Sequence, residues 1–543
     1  MTKHWWKEAV VYQIYPRSFN DSNGDGIGDI QGIIEKLPYL EKLGIDAIWL
    51  SPIYKSPNID YGYDVANYYE INPEYGNMTD FEELVAKAKK CQIKIIMDLV
   101  LNHTSSEHKW FKEAKKDKDN PYHDYYIWRK PEQIKAQLEH EWTCNQWTFV
   151  PELGQYYFHL FDYRQPDLNW NNPQMRQELY KMMNFWVERG VGGFRLDVID
   201  LIGKDPDHGI TVNGPNLNPY LKEMYEAVFA GKDLLTVGET WSAGIKEAKQ
   251  YTYENSHELT MVFEFQPLLL SQKRGMDKWH PVRINPQLLK KVLLNWQTKL
   301  DYEQGWNTLF WSNHDLARTA SLLKTNDRHR IAAQKMLVGL QFFLKGTPFI
   351  YQGDELGMTN VNFSKIEMLR DPESIDLVKK SDDKKTALKL VSQKGRDNAR
   401  TPMQWNDSPQ AGFTTGQSWI NVNPNYVQIN AQIEEADPNS IFNFYRKLIA
   451  IKKQSSILKY GNFEEINDVP AEVLAFMRSD ETGSYRVFAN LSRKAKRINY
   501  HISRKKVVVQ NYPIKETGAT YLLKPYELLV EKLIIRPLSH QAY

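Results

Sequence analysis

The sequence has very few cysteines and almost no excess of charge of one sign. Cys91 and Cys144 are its only two cysteines in 543 residues, too few for a disulfide framework and too scattered for a zinc site. A reducing, cytoplasmic setting is therefore expected. Lys and Arg number 69 against 67 Asp and Glu, a formal net charge of +2. Because this balance offers little attraction to a polyanion, a nucleic-acid partner is not expected.

Long apolar runs are also missing. The first residues carry charges throughout and contain no apolar block ending in small residues, so no signal peptide is expected. The most apolar long stretch, 331–344, is interrupted by glutamine and lysine and is too short to cross a membrane. With 42% hydrophobic and 25% charged residues, the chain has the composition of a packed globular protein. We expect a monomer without a membrane partner.

Short β-rich apolar runs alternate with helix-period segments over most of the chain. This alternation is typical of βα units and a parallel sheet, and eight strands are the number found in a TIM barrel. The eight runs begin at Val10, Ala47, Lys94, Gly193, Leu234, Leu259, Trp306 and Pro348. The sequence therefore predicts an α/β protein built on a (β/α)8 TIM barrel.

Two local signals predict where helices begin and end. Asn172 and Pro173 provide an N-cap and a first-turn proline for a helix that Gly190 should stop. Pro38 lies inside an otherwise helical pattern and should kink or split that helix.

The spacing of the runs predicts two additions to the barrel. The third and fourth runs are much farther apart than a crossover helix requires, which predicts an inserted subdomain at 104–171. After residue 466 strands follow one another without helices, which predicts a C-terminal antiparallel β-sandwich at 467–543. The barrel then comprises 1–103 and 172–466.

Polar residues are dense where the predicted strands end, which is where a TIM barrel carries its active site. One acidic residue at a strand end is commonly a cap or an ion-pair partner, but three of them on three strands predict an active site. The strand-end residues are Asp98, Asn102 and His103 on the third strand, Arg195 and Asp197 on the fourth, Glu239 on the fifth, and His314 and Asp315 on the seventh.

Two of these carboxylates suit glycoside hydrolysis, which needs one nucleophile or base and one proton donor. Asp197 and Glu239 end neighbouring strands, close enough for the separation of about 5 Å used by retaining enzymes. Arg195 lies two residues before Asp197 on the same strand face and can pair with it, favouring its ionised form.

The sequence resembles the α-amylase family (glycoside hydrolase family 13), in its oligo-1,6-glucosidase and dextran-glucosidase branch. The resemblance spans nearly the whole chain and implies that Asp197 is the nucleophile, Glu239 the general acid/base and Asp315 the carboxylate that holds the sugar hydroxyls. The motifs that carry it, in the family's order, are YDVANY, DLVLNH, QPDLNW, GFRLDV, VGETW, WSNHD, YQGDELGMTN and RDNARTPMQW.

The same resemblance implies residues that bind the innermost glucosyl unit. His103 and His314 would contact its hydroxyls, and Tyr63 would stack below its ring. Asp60 and Arg396 would grip the terminal glucose and close the site behind it, which makes the enzyme exo-acting. The alternative for this pair is an exposed loop salt bridge of little energetic consequence.

The resemblance further implies an α-1,6 preference, with isomalto-oligosaccharides or short dextran as substrates. Val198, directly after the nucleophile, resembles the 1,6-specific members, although strand propensity alone could explain a valine there. Trp241 could form an aromatic wall for the leaving sugar.

Three rival functions stay open at this point. A trehalose-6-phosphate hydrolase shares the machinery, but such enzymes tend to have other residues where this chain has Asn213 and Thr240. An α-1,4-glucosidase is disfavoured by Val198. A non-catalytic barrel subunit would lack catalytic carboxylates that this chain retains.

The segment DSNGDGIGD resembles a calcium loop, with oxygen donors at alternate positions and a glycine that permits the turn. Position twelve is glycine instead of the bidentate glutamate of a full EF-hand. Members of this branch often carry a structural Ca²⁺ there, so Ca²⁺ is the expected cofactor. Its expected ligands are Asp21, Asn23, Asp25, the carbonyl of Ile27, and Asp29.

Four places depart from the family pattern. The segment 142–149 replaces a Phe-Gly-Gly-Ser-Ala-Trp stretch that lies beside the entrance in relatives. Tyr61 stands for a usual Asn, Ala317 for a Pro, and Asp354 for a Glu. None of these changes removes a catalytic group.

Overall fold

The computed structural model describes residues 3–139, 144–323, 327–514 and 518–533. Its centre is a sheet of eight parallel strands, β1 to β8, in the spatial order 6-5-4-3-2-1-8-7. Each predicted apolar run supplies one strand, so the predicted barrel is confirmed. The strands are Val11–Ile14, Ala47–Leu50, Lys94–Val100, Gly193–Asp197, Leu235–Gly238, Met261–Val262, Thr308–Leu309 and Thr347–Tyr351.

Side chains join β6 and β7, which stand at the two ends of this strand order. Thr308 Oγ1 donates a hydrogen bond to the carbonyl of Val262 at 3.2 Å. Next to it, Asn307 Nδ2 donates to Glu264 Oε2 at 2.8 Å. These bonds connect the last two neighbours of the cylinder.

Every residue of β1, β2 and β4 is buried. Parallel strands covered on both faces read as continuous apolar runs, which is why the sequence pattern was clear. The polar residues of β4, Arg195 and Asp197, stand towards the carboxyl end, where the barrel opens to the site.

The two local helix predictions are confirmed. The helix Pro173–Glu188 begins after Asn172, whose side chain accepts a hydrogen bond from Met175 N, and Gly190 follows it with φ +88°. The helix around Pro38 is split into Ile30–Glu35 and Leu37–Leu43.

Among the described residues, the further α-helices of six or more residues surround the barrel and its connections. In the same ranges, none of the helices combines the length and apolarity needed to cross a membrane. Their bounds are Met78–Lys90, Lys109–Ala114, Leu217–Met224, Ile245–Thr252, Pro286–Lys299, Asp327–Phe343, Pro372–Lys380, Lys384–Lys394, Ala431–Ala436 and Ile441–Gln454.

A small antiparallel sheet lies between β3 and β4. Its strands are Trp128–Arg129, Gln155–Phe158 and Trp147–Val150, in that spatial order. They share a separate apolar core built around Ile134. This sheet falls within the predicted subdomain 104–171, whose limits stay a prediction.

The C-terminal part is a β-sandwich, as predicted. A five-stranded antiparallel sheet packs through Phe488 and Leu529 against the strand pair Lys496–Ile498 and Tyr521–Leu523. Residues 534–543 of the predicted domain lie outside the described residues. The five strands, in spatial order, are Asn462–Glu465, Val473–Asp480, Gly483–Asn490, Leu528–Leu533 and Val507–Gln510.

Candidate active site

A cavity of about 250 Å³ opens where the barrel strands end. Arg195 and His314 lie directly behind its wall and contact lining residues. The other eight of the ten residues predicted to act on substrate line it: Asp60, Tyr63, His103, Asp197, Glu239, Trp241, Asp315 and Arg396. The structure therefore brings the whole predicted set together.

Arg195 holds three carboxylates at the base of this cavity. Its Nη1 lies 2.8 Å from Asp98 Oδ1 and 2.7 Å from Asp197 Oδ1, and its Nη2 lies 2.6 Å from Glu239 Oε2. Because the guanidinium is a rigid planar fork, carboxylates on its neighbouring nitrogens are held side by side. The arrangement gives Asp197 and Glu239 a common support.

Burial raises the pKa of Asp197 well above its ordinary value. Arg195 opposes this effect, while Glu239 and Asp98 add to it. The predicted pairing with Arg195 exists, but it does not outweigh the effect of burial on the Asp197 pKa. Three carboxyl groups around one guanidinium repel each other, which favours retention of a proton among them. Two neighbouring carboxyl groups can serve as acid and nucleophile only if one of them carries a proton while the other is ionised.

Val198 follows β4 in a left-handed turn, with φ 35° and ψ 45°. A β-branched residue rarely adopts this conformation, which costs about 1–3 kcal/mol. Its main-chain N–H donates to Glu239 Oε2 at 3.1 Å, and its side chain lines the cavity. Since the strand ends at Asp197, strand propensity does not explain the valine.

Trp241 fixes the other oxygen of the acid/base. Its Nε1 donates to Glu239 Oε1 at 2.9 Å. The indole stacks on Phe265, with ring centroids 3.9 Å apart and planes 17° apart. Trp241 therefore lines the cavity and orients Glu239, and its contact with the leaving sugar stays a prediction.

Asp315 is surrounded by cationic and imidazole groups. Arg400 Nη2 lies 2.8 Å and Arg396 Nη1 3.3 Å from its Oδ1, and His314 Nε2 lies 3.1 Å from its Oδ2. Burial raises the pKa of Asp315, but His314 and the two arginines outweigh it, so the pKa lies well below the ordinary value. Asp315 is thus ionised and ready to accept hydrogen bonds from sugar hydroxyls.

Tyr63 and the two histidines form one connected wall. The Tyr63 ring stacks on His314, with centroids 5.3 Å apart and planes 7° apart, and its hydroxyl lies 2.6 Å from His314 Nε2. His103 Nε2 lies 3.0 Å from the Tyr63 carbonyl. Burial lowers the pKa of His103, so this ring is neutral near pH 7.

The predicted pair of Asp60 and Arg396 lies together in the lining of the cavity. Their side chains are 22% and 19% exposed and their charged atoms are 3.6 Å apart, so they are not an exposed loop salt bridge. Arg396 makes a shorter contact, 2.7 Å, to Asp371 Oδ1.

Sequence reasoning missed several residues of the site. Arg400 stands in the RDNARTPMQW motif, which could have pointed to it. Lys278 and Glu373 form an ion pair and both line the cavity. Asp371, Lys278 and Glu373 lie in connections where no local pattern marks a site.

The departures from the family pattern leave the catalytic groups in place. Tyr61 adopts φ 49°, a conformation that favours Asn, and its hydroxyl donates to the carbonyl of Arg370. Ala317 lines the cavity. Asp354 accepts a hydrogen bond from Ser312. Within 142–149, Trp142 and Thr143 lie outside the described residues, and 145–149 are not among the residues that line the cavity.

The predicted calcium loop is closed by its own hydrogen bonds. Asp21 accepts bonds from Asn23 N, Gly24 N and Gly26 N. Asp25 accepts one from Ile27 N. Within the described ranges, no three His, Cys, Asp or Glu side chains are grouped to hold a metal. The loop's donors are all oxygens, which suits Ca²⁺, but an amide and a carbonyl must complete the set.

Comparisons with known proteins agree with this geometry. The family model of the α-amylase catalytic domain matches residues 13–461. A glucan 1,6-alpha-glucosidase of Streptococcus pneumoniae is 47% identical, covering 98% of this chain and 100% of its own. An oligo-1,6-glucosidase of Bacillus cereus is 44% identical with the same coverage. The crystal structure of a trehalose-6-phosphate hydrolase of Bacillus licheniformis superposes with a TM-score of 0.91 at 42% identity, over 98% of this chain and 100% of that chain.

Proposed function

The chain belongs to the α-amylase family, and we propose that it is a retaining, exo-acting α-glucosidase. Its substrates are α-1,6-linked isomalto-oligosaccharides or short dextran, cut at the non-reducing end. One observation carries the assignment: Asp197 and Glu239 share the Arg195 guanidinium at the base of a cavity whose far end is closed by charged groups. The names of the Streptococcus and Bacillus relatives support the linkage.

In the first step, Asp197 attacks the anomeric carbon and the glycosidic bond breaks. Glu239 gives its proton to the departing oxygen, and a glucosyl-Asp197 ester forms. The two donors that hold Glu239, Val198 N and Trp241 Nε1, fix its carboxyl group beside the nucleophile.

In the second step, Glu239 takes a proton from water, which attacks the anomeric carbon. The bond from that carbon to Asp197 breaks, the carboxylate is restored, and glucose leaves with the α configuration. Asp315 accepts hydrogen bonds from sugar hydroxyls in both steps. Because His314 and Arg400 keep this carboxylate ionised, its bonds are charge-assisted and strong.

Exo-action follows from the closed end of the cavity. Arg396 is held by Asp371 and stands beside Asp60 and Asp315, where a further sugar unit would have to pass. The site therefore has no room for another sugar unit beyond the glucose at the non-reducing end of the substrate.

The outer part of the cavity favours a neutral leaving sugar over a phosphorylated one. Two lysines, Lys278 and Lys394, line the cavity and could meet a phosphate. Glu373 pairs with Lys278, and Lys394 donates a hydrogen bond to Ser271 Oγ at 2.5 Å. A carboxylate at this point repels a phosphate dianion, while the ion pair offers both donors and acceptors to hydroxyls. This contact disfavours a trehalose-6-phosphate hydrolase.

A comparison of kcat/KM for isomaltose, maltose and trehalose 6-phosphate tests the proposed substrate. We expect isomaltose to be the best of the three. Preference for maltose or for the phosphorylated disaccharide would leave the catalytic assignment intact and overturn the linkage.

We also propose that the loop 21–29 holds a structural Ca²⁺ through Asp21, Asn23, Asp25, the carbonyl of Ile27 and Asp29. The support is the oxygen-only donor set. We further propose that the enzyme works as a monomer in the cytoplasm. The scarcity of cysteine supports that compartment, and size-exclusion chromatography with light scattering tests the monomer.

A further inference from the structure

A buried carboxylate outside the cavity controls the arginine that closes it. Asp371 is 0% exposed and is not one of the residues that line the cavity. Its Oδ1 accepts two hydrogen bonds from Arg396, from Nε at 2.9 Å and from Nη2 at 2.7 Å. The planar guanidinium is thereby fixed along one edge.

The other contacts of Arg396 are longer. Its Nη1 lies 3.3 Å from Asp315 and its Nη2 lies 3.6 Å from Asp60. Both of these carboxylates line the cavity, so a bound sugar can contact them. Asp371 is the one short contact of Arg396 that substrate cannot reach.

The second oxygen of Asp371 is committed to a helix. Oδ2 accepts bonds from Ser374 N at 3.1 Å and Ser374 Oγ at 2.6 Å, which caps the helix Pro372–Lys380. The first turn of that helix carries Glu373, which lines the outer part of the cavity. Asp371 thus ties the arginine at the closed end to the helix at the open end.

Burial raises the pKa of Asp371, but Arg396 and Arg400 outweigh it and bring the pKa to about 2. Near neutral pH it is therefore ionised. An amide in its place cannot serve both partners, because each oxygen now faces a donor and an amide nitrogen would face one of them.

We infer that Asp371 is a positioning residue that holds the Arg396 guanidinium where it meets the terminal glucose. Without this anchor, Arg396 moves towards Asp60 and Asp315 and competes with the sugar for Asp315. The inference rests on the proposed function in one respect: it assumes that the sugar unit bound beside Arg396 is glucose.

The test is a double-mutant cycle of Asp371→Asn and Arg396→Ala. Two readouts need no second sugar: kcat/KM for 4-nitrophenyl α-glucoside and the calorimetric Kd for 1-deoxynojirimycin, a glucose-shaped inhibitor. We expect Asp371→Asn to weaken both by about 10- to 100-fold. When Arg396 is already alanine, Asp371→Asn should alter kcat/KM and Kd by no more than about twofold, because Asp371 acts on the sugar only through Arg396.

A matched control is available in the next helix. Asp383 caps Lys384–Lys394 through Thr386 N at 3.0 Å and Thr386 Oγ1 at 2.6 Å, and it is not one of the residues that line the cavity. Asp383→Asn should lower Tm without changing Kd.

If Asp371→Asn only lowers Tm, as the control does, or if its loss of affinity persists unchanged without Arg396, the positioning role is overturned. The inhibitor binds without being hydrolysed. Its Kd can therefore still be compared across the four proteins of the cycle if the wild-type enzyme prefers another linkage. That outcome would overturn only the proposed substrate.

Discussion

The main-chain N–H of Val198 donates to Oε2 of Glu239 at 3.1 Å, which ties the residue after the nucleophile to the acid/base. The bond holds Val198 in its left-handed conformation and presents its side chain to the cavity. In the proposed mechanism, a residue in this place would lie beside the bond between the two sugars.

Val198→Ala should therefore lower the preference for isomaltose over maltose by about tenfold, because a smaller side chain admits the bulkier approach of the 1,4 linkage. Val198→Ile, which keeps a branched apolar side chain, is the matched control. The ratio of the two kcat/KM values is the measurement. An unchanged ratio in the alanine variant would show that Val198 does not set linkage preference.

Asp197→Ala should abolish turnover, by roughly 10⁴-fold or more, because the ester intermediate cannot form. The change enlarges a cavity already open to solvent, so Tm and circular dichroism should be nearly unchanged. Glu239→Ala makes the contrasting variant. With azide and an aryl α-glucoside, it should yield the α-glucosyl azide, since azide can attack the ester formed on Asp197. Substantial activity of Asp197→Ala on isomaltose would contradict the assignment.

Asp200 makes the stability of the protein depend on pH. Burial raises its pKa to about 6, the Ser242 hydrogen bond opposes this, and the charge of Glu239 adds to it. The raised pKa means that the folded state binds this proton more tightly than the unfolded chain. The contribution of Asp200 to stability is then fully present below pH 4 and falls by about 3 kcal/mol as pH rises through about 6.

The Asp200→Asn variant should lose this part of the pH dependence. Tm measured between pH 4 and 7 gives the comparison, with the exposed Asp407→Asn as control. Parallel Tm curves for wild type and Asp200→Asn would contradict the expectation.

Removal of Ca²⁺ should destabilise the protein if the loop 21–29 binds it. At a Ca²⁺ concentration 100 times the Kd, binding contributes about 2.7 kcal/mol, so EDTA should lower Tm by a few degrees. Asp25→Ala should abolish the response to both EDTA and Ca²⁺, because it removes one ligand from an exposed part of the loop. If neither EDTA nor Ca²⁺ changes the Tm of the wild-type protein, the loop is closed by its hydrogen bonds alone.

Much of the fold could be predicted because its signals are local. Asn172 caps its helix through the nearby Met175 N–H, and Pro38 splits its helix by lacking a donor. Strands buried on both faces leave continuous apolar runs. The seam between β6 and β7 could not be predicted, because it depends on side chains such as Thr308 and Asn307 that meet across the barrel.

The site divides in the same way. Asp197 and Glu239 end strands, so the barrel pattern marks them. The left-handed turn at Val198 could not be predicted, since the run GFRLDV looks like uninterrupted strand. Asp371 gave no signal because its role depends on Arg396, which lies in a separate turn of a long connection.

The central claim is tested most directly by proton NMR of the reaction with isomaltotriose, run beside trehalose 6-phosphate. A retaining exo-acting 1,6-glucosidase must release glucose first in the α form from isomaltotriose, before mutarotation adds the β form. Initial release of β-glucose, or cleavage of trehalose 6-phosphate alone, would contradict the account.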